Sequence, residues 1–458
     1  MTDLPKEIFK AYDIRGIVGK TLTPQIVQSI GHAIGSEARA RDQRAIALSY
    51  DGRLSGPDLA AALAQGIRGS GIDVIEIGRV TTPMVYFAGH HLHTRCGVAV
   101  TGSHNPPDYN GLKMVLADQA LWGEAIQQLR RRIETGDLAD GAGSYSKQDI
   151  ARDYLDRIAG DVKLKRKMKI VVDCGNGVAG AFAPGLYRRL GCEVIELFCE
   201  VDGTFPNHHP DPSVMKNLAD VIRTLRTTDA EIGFAFDGDG DRLGVVTKDG
   251  QVIFPDRQLM LFAQDVLSRN PGATVIYDVK STRNLKPWIE RHGGRPLLWK
   301  TGHSLIKAKM AETGALLAGE MSGHIFLKER WYGFDDALYA GARLLEMLSA
   351  LPDLDATLRG LPDALSTPEL QIKLAEGENY ALIDKLQAGA HFDGAREVIR
   401  IDGLRVEYAD GFGLARASNT TPVIVLRFEA DDDGALKRIQ ADFRRVLLAV
   451  KPDVQLPF

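Results

Sequence analysis

The string FDGDGDR at residues 236–242 alternates Asp237, Asp239 and Asp241 with glycine, so a short loop can wrap all three carboxylates around one cation. Oxygen-only ligation selects a hard ion, Mg²⁺ or Ca²⁺. An EF-hand is excluded because its sixth and twelfth positions, which need Gly and Glu, are Arg242 and Lys248. A phosphatase that phosphorylates the first Asp of a DxD string is disfavoured by Asp241, where that class carries Thr or Val. Left as a solvated acidic turn between two apolar strands, three anions without a counter-ion would repel one another at a cost of several kcal/mol.

A second string, TGSHNPPDYNGLK at 101–113, sets Ser103 among Gly102, His104 and Asn105 ahead of a stiffening Pro-Pro turn. An acyl-transfer serine is a poor fit, since GxSxG is absent and a base usually converges from a separate segment. A serine that carries phosphate fits better: backbone amides and Lys113 can offset the charge, and the Asp-bound cation can bridge to its oxygens. GEMSGH at 319–324 puts Glu320, Ser322 and His324 at alternate positions, on one face if the segment is extended, where they could grip sugar hydroxyls. ARASNTTP at 415–422 gathers Arg416, Ser418, Asn419, Thr420 and Thr421, donors that match a phosphate. GIVGKT at 16–21 imitates a phosphate-binding P-loop but fails on spacing, with Ile14 where the first glycine belongs and no strand expected ahead of it.

These loops need elements to aim them, and one pattern recurs three times. IALSY runs into Asp51, KIVV into Asp173 and TVIY into Asp278, each a β-rich run followed by an amphipathic helix. Gly71, Gly191 and Gly294 are expected to cap those helices in the left-handed conformation, ahead of second strands DVIEIG, EVIELF and PLLWK. In each unit a later pair of apolar runs brackets one chemical loop: VAV…KMV around Ser103, GFAF…LGVV around the aspartates, and LLAG…IFLK around Glu320. Composition shifts divide the chain into 1–148, 149–251, 252–363 and 364–458. The fold class is α/β: three similar mixed α/β domains plus a smaller C-terminal α+β domain. In the last, strands within REVIRIDGLRVEY and PVIVLRFEA flank a glycine-rich loop before a final helix.

Length and composition agree. The 458 residues are about three domains' worth of chain, and 44% hydrophobic with 25% charged residues is ordinary for a globular chain. A net charge of −4 supplies no basic field for nucleic acid or an anionic membrane, and no run reaches the roughly 18 apolar residues of a membrane helix. A cytoplasmic monomer acting on small molecules is expected. Cys96, Cys174, Cys192 and Cys199 form no CxxC pair and read as buried reduced thiols. Among His90, His91 and His93 only the pair at 91 and 93 could share a strand face, which makes a poor metal site.

Taken together, Ser103, the three aspartates, the sugar loop and the Arg416 loop resemble the α-D-phosphohexomutase family along the whole chain. KAYDIRG at 10–16, FPNHHPDP at 205–212 and KTGHSLIK at 300–307 stand with the other motifs in the family's order. The resemblance implies four domains around a central cleft, one Mg²⁺, and a phosphoserine loaded before turnover, with hexose 1,6-bisphosphate as intermediate and activator. It implies Ser103 as phosphoryl carrier and metal neighbour, Asp237, Asp239 and Asp241 as metal ligands, and Arg242 against the phosphoserine. Tyr12, Arg15, His104 and Lys113 would come from the first domain, and Lys280, Gly302 and His303 would line the sugar cleft. Glu320 and Ser322 would bind hydroxyls, Arg416, Ser418, Asn419 and Thr420 the idle phosphate, and Lys113, His104 or His324 would be the general base. Two other classes stay open: a phosphoglucosamine mutase, which usually has Gln at the place of Met321, and a non-catalytic sugar-phosphate sensor, against which the intact Ser103 argues.

Overall fold

The structure is a computed structural model, and it describes residues 4–375, 377–419 and 421–458. Its first three sheets repeat one arrangement. In the first, Ala45–Tyr50 lies between Asp73–Arg79 and Gly97–Val100, all parallel, and Tyr109–Leu116 returns antiparallel beside Gly97–Val100. In the second, Lys169–Asp173 lies between Glu193–Leu197 and Ile232–Phe236, with Leu243–Thr247 antiparallel beyond. The third sets Thr274–Asp278 between Arg295–Trp299 and Leu317–Gly319, with Ile325–Leu327 antiparallel beyond. Parallel neighbours need helical crossovers whereas an antiparallel return needs only a short loop. The hairpin before each return strand is therefore where each domain places its polar loop, at the carboxyl end of the parallel strands, as ligand sites in α/β sheets generally lie.

The fourth sheet is antiparallel throughout, running Leu365–Ser366, Val423–Ala430, Gly411–Ala417, Leu404–Glu407, Glu397–Ile399, with Leu370–Lys373 also paired to Val423–Ala430. Helix Asp433–Val450 packs Ile439 and Phe443 into its core. One apolar core joins the first three units, from Ala47 to Leu361, the first unit has a second core of its own from Ile8 to Leu129, and the fourth has its own. Val279, Phe412 and Leu414 form a small cluster between the third and fourth units.

Four local expectations are corrected. Gly293, not Gly294, is the left-handed residue (φ +79°) after helix Leu285–Arg291. Gly294 N–H donates to Ile289 O and Gly293 N–H to Glu290 O, the paired bonds of a Schellman motif, which shifts the left-handed residue one place towards the helix. The glycine-rich stretch of the fourth domain is no loop: Gly411–Ala417 is a fully buried strand. A Cβ at Gly413 would meet the Phe443 ring at 2.3 Å, so glycine serves there to let the helix approach. A strand, Ile14–Ile17, does lead into GIVGKT, so the P-loop resemblance falls on spacing alone. Glu320–His324 is a turn, not an extended segment, so alternation does not align its side chains.

Among the described residues no helix is long and apolar enough to cross a membrane. All four cysteines are free, three buried and Cys199 half-buried. His90 and His91 end a helix and stack on Tyr332 and Phe87, with ring centroids 4.7 and 5.2 Å apart, and among the described residues neither belongs to a group able to share an ion.

Candidate active site

Ser103 sits at the tip of the first hairpin in the left-handed region (φ +48°), where a side chain with a Cβ is strained. Its loop is over-determined from below. Asp51, at the end of the central strand, accepts from Thr101 Oγ1, Gly102 N–H and Arg53 N–H at 2.9, 3.1 and 2.9 Å. The Arg53 guanidinium, buried in the first domain, donates to the carbonyls of Ser103 and Tyr109, both 2.9 Å, and of Asn105 and Pro106, both 2.5 Å. Arg15 adds bonds to Gly102 O (2.7 Å) and the Asn105 side chain (2.6 Å). The Ser103 hydroxyl is thereby turned to donate to Asp237 Oδ2 at 2.9 Å, across the interface of the first two domains. Gly238 leaves room for this contact, since a Cβ there would lie 2.3 Å from Ser103 O.

Asp237, Asp239 and Asp241 are all fully buried and place one oxygen each within 4.8 Å of the others. Thr82 donates to Asp239 at 2.6 Å, and Lys113 Nζ donates to Asp239 at 2.8 Å and Asp241 at 2.5 Å. Oδ1 of Asp239 and of Asp241 nonetheless find no hydrogen-bond partner. Burial and then the two neighbouring aspartates push the Asp237 carboxyl well up. Orphaned buried carboxylate oxygens beside a carboxyl raised by its neighbours are what an oxygen-ligated divalent cation would relieve, so the donor set fits Mg²⁺. Burial alone would push the Lys113 ammonium down, but Asp239, Asp241 and Asp237 outweigh it and hold it well above the usual lysine range. Lys113 is thus a counter-ion, and among the base candidates it is the one whose proton is least available.

The second and third hairpins are sewn together. Arg242 and His324 form an antiparallel bridge, and Leu243 N–H donates to Gly323 O at 3.1 Å. Arg242 Nε donates to His324 Nε2 at 3.0 Å, while His324 Nδ1 lies 3.0 Å from Asp335 Oδ2 and 3.5 Å from Asp241 Oδ1. Lys307 holds the other Asp335 oxygen at 2.8 Å and stands 3.2 Å from His303 Nδ1. Burial first, and then Lys307, holds His303 well below the usual imidazole range. His104 pairs with Asp211 at 3.2 Å, yet burial and the nearby Arg242 push it down to about 4.

A second cluster continues the surface towards the fourth domain. Gly302 (φ +139°) donates its N–H to Glu320, and a Cβ there would meet the Tyr12 ring at 2.8 Å. Burial pushes the Glu320 carboxyl up. The Tyr12 ring meets His303 edge-on at 5.9 Å, and its hydroxyl, pushed up to about 12 by burial, accepts from Asn419 Nδ2 at 3.1 Å. Arg416 lies on a strand, its fork on Asp402 at 3.1 and 3.3 Å, and Lys280 is paired with Glu369 at 2.5 Å. Ser418 is buried with Oγ 3.1 Å from Thr421 Oγ1, Ser322 is half-buried in the turn, and Thr420 lies outside the described residues. Direct contacts thus link Ser103, Asp237, Arg242, His324, His303, Tyr12 and Asn419 in one chain across four domains.

Sequence reasoning missed Asp51, Arg53, Thr82, Asp335, Lys307 and Asp402, each of which acts by holding a residue it did name. Asp51 was named only as a strand end, with DGR at 51–53 visible there, and Lys307 closes the KTGHSLIK string; the others carry no local signal.

A serine held against a buried carboxylate triad that fits a divalent cation, at the junction of three repeated α/β units and an antiparallel fourth, is the arrangement that a metal-dependent phosphoryl-transfer enzyme needs. The chain matches the phosphoglucomutase/phosphomannomutase descriptions of alpha/beta/alpha domains I, II and III over residues 6–140, 152–250 and 254–364, and the C-terminal domain over 369–446. It is 61% identical to a phosphoglucomutase of Neisseria meningitidis over 98% of each chain, and 56% identical to a phosphomannomutase/phosphoglucomutase of Pseudomonas putida over 99% of this chain and 98% of the other. A crystal structure of a phosphoglucomutase/phosphomannomutase family protein from Burkholderia thailandensis superposes with a TM-score of 0.95 at 62% identity, covering 99% of this chain and all of the other. The chain belongs to the phosphoglucomutase/phosphomannomutase family.

Proposed function

We propose that the chain interconverts hexose 6-phosphates and hexose 1-phosphates, of mannose and glucose alike, through phosphorylated Ser103 and a hexose 1,6-bisphosphate. The observation that carries this is the Ser103 hydroxyl held 2.9 Å from Asp237, with Lys113 and Arg242 beside the same triad. Asp237, Asp239 and Asp241 would hold Mg²⁺, with Ser103 beside it, and the bound ion would withdraw charge from the transferring phosphoryl oxygens.

In the first half-reaction the bond between phosphorus and Ser103 Oγ breaks as one forms to the free sugar hydroxyl. That hydroxyl's proton passes to a base. His324 is the base we favour, because Asp335 beside Nδ1 would steady the imidazolium as an orienting carboxylate does in a triad. Arg242 offsets charge on the phosphoryl group. The bisphosphate turns end for end and returns its other phosphate to Ser103, regenerating the starting enzyme. Glu320, Ser322 and His303 would bind the sugar. Tyr12, Arg15 and Lys280 would shape the cleft, and Arg416, Ser418, Asn419 and Thr420 would hold the distal phosphate. Because both ends of the sugar use one site, carbon 2 goes unread and both epimers are admitted. We take the working form to be a cytoplasmic monomer that binds neither nucleic acid nor membrane.

A coupled assay with mannose 1-phosphate, glucose 1-phosphate and glucosamine 1-phosphate tests the reading, with turnover expected on the first two. Ser103→Ala should remove nearly all turnover while leaving the melting temperature within a few degrees. Full activity in that variant, with phosphate mapped elsewhere, overturns the carrier assignment.

A further inference from the structure

Two of the free thiols lie against each other beneath the metal loop. Cys174 follows strand Lys169–Asp173 and donates its N–H to Leu197 O at 3.1 Å, so the two parallel strands remain paired past their ends. Phe198 then takes a left-handed conformation (φ +50°), which turns the chain so that the Cys199 side chain comes back over its neighbour. The sulfurs stand 3.7 Å apart, with Cys199 Sγ also in reach of the carbonyls of Val172 and Leu197. Cys174 is fully buried and Cys199 half-buried, so of the two residues Cys199 is the one nearer solvent. Burial, with Cys199 beside it, pushes the Cys174 thiol well up.

The turn after Cys174 carries the metal loop. Cys174 O accepts from Gly177 N–H at 2.7 Å, and Val178 N–H donates to Gly238 O at 3.1 Å. A Cβ at Gly177 would stand 2.9 Å from Gly238 Cα, so backbone rests directly on backbone there. On the other side Asn176 bonds Phe198 O and Glu200 O at 2.7 and 2.8 Å. Closing a disulfide of about 2.05 Å from sulfurs 3.7 Å apart draws them together by about 1.6 Å. The Gly177–Val178 turn beside Cys174 rests on Gly238, between Asp237 and Asp239, so a shift of that turn would reach the aspartate loop.

We propose that Cys174 and Cys199 are a thiol pair that hydrogen peroxide converts to a reversible disulfide, slowing phosphoryl transfer by displacing the turn under the metal loop. Cys199 thiolate attacks one peroxide oxygen: an S–O bond forms, the O–O bond breaks, and the departing hydroxide takes up a proton to become water. Cys174 sulfur then attacks the sulfenic Cys199. The S–S bond forms, the S–O bond breaks, and the Cys174 proton leaves with that hydroxide as a second water. Two electrons pass from the sulfurs to peroxide, and a dithiol reductant reverses the change.

The activity arm rests on the mutase reading above; the cross-link arm does not, since it is read without substrate. Reduced enzyme, wild type and Cys199→Ser, is treated with hydrogen peroxide, alkylated and peptide-mapped under non-reducing conditions, and kcat is measured before and after dithiothreitol. A peptide linking residues 174 and 199 is expected in the wild type, with kcat lowered at least fivefold and restored by dithiothreitol. Cys199→Ser should show neither change. The proposal is overturned if both thiols remain alkylatable after peroxide, or if Cys199 advances to sulfinic acid unlinked. A cross-link that forms without change in kcat overturns the regulatory claim, and an equal loss of activity in Cys199→Ser places the oxidation elsewhere.

Discussion

Arg53 illustrates how much of a phosphoryl carrier is made by residues that never meet the substrate. Its planar fork satisfies four loop carbonyls at once and pairs with Asp51 at 3.3 Å, which keeps Ser103 in a conformation it would otherwise leave. Lysine presents a compact ammonium with three donors and cannot reproduce that fork. Arg53→Lys should therefore lower kcat at least tenfold, about 1.4 kcal/mol in the barrier, with Mg²⁺ dependence unchanged. Wild-type kcat in that variant would remove Arg53 as a positioning residue. The aspartates make the opposite forecast. Asp239→Asn removes a carboxylate proposed as a metal ligand and a partner of Lys113, so half-maximal Mg²⁺ should rise at least tenfold in a chelator-buffered titration while Arg53→Lys leaves it alone. If exhaustive chelation spares the wild-type rate, the triad is not a metal site.

At the scale of elements, helix Ala337–Ser349 shows a cap doing two jobs. Asp336 accepts from Tyr339 N–H at 3.0 Å as the N-cap and from the Tyr154 hydroxyl at 2.8 Å, joining the third domain to the second. Burial pushes its carboxyl from the ordinary 3.8 up to about 7. The unfolded chain therefore gives up this proton near pH 3.8 while the folded chain keeps it to about 7, so the stability it contributes is present at low pH and is lost as pH rises through that window. Asp336→Asn keeps a cap oxygen and does not titrate. Its unfolding free energy relative to wild type should climb between pH 5 and pH 7, by up to about 1.4 kcal/mol per pH unit, and level off above. A pH-independent difference refutes the shift. Helices and strands were otherwise the most legible level, because apolar periodicity marks them locally: the strand–helix–strand units, their hairpins and the final helix all stand where the periodicity puts them. It misled at Gly411–Ala417, whose glycines suggest a loop but serve packing against Phe443, a contact more than 25 residues away in sequence.

The whole molecule divides its labour between a three-domain body joined by a shared core and a fourth domain seated on it by polar contacts around a small apolar cluster. Arg405 donates to Val279 O and Ser281 O at 2.7 and 2.6 Å, Arg427 to Lys280 O at 2.8 Å, and Thr282 to Glu429 at 2.8 Å. Arg416 pairs with Asp402 through Nε and Nη2, so the phosphate proposed to bind there would compete with that carboxylate for the guanidinium. Arg416→Ala should raise KM about tenfold, in keeping with charge-assisted bonds of about 1.5–3 kcal/mol. The ratio of kcat/KM for mannose and glucose phosphates should shift less than in Glu320→Ala, because both sugars offer the same anion. A larger shift in the arginine variant rejects the phosphate clamp.

By itself the sequence determined the class of chemistry and the elements that carry it. FDGDGDR, TGSHNPP and GEMSGH are contiguous strings whose residue types select a hard cation, a carried phosphate and a sugar, and the periodicity around them selects strands and hairpins. Only the tertiary structure decided how the named residues act on one another. Lys113 is a counter-ion because two aspartates more than 120 residues away meet its ammonium, and His324 gains Asp335 because a loop folds back on it. Arg53 reaches the serine loop only because hairpin and central strand end at the same edge of one sheet. Coulomb energies and hydrogen bonds depend on distance through space, and no spacing along a chain encodes that for residues brought together from different domains.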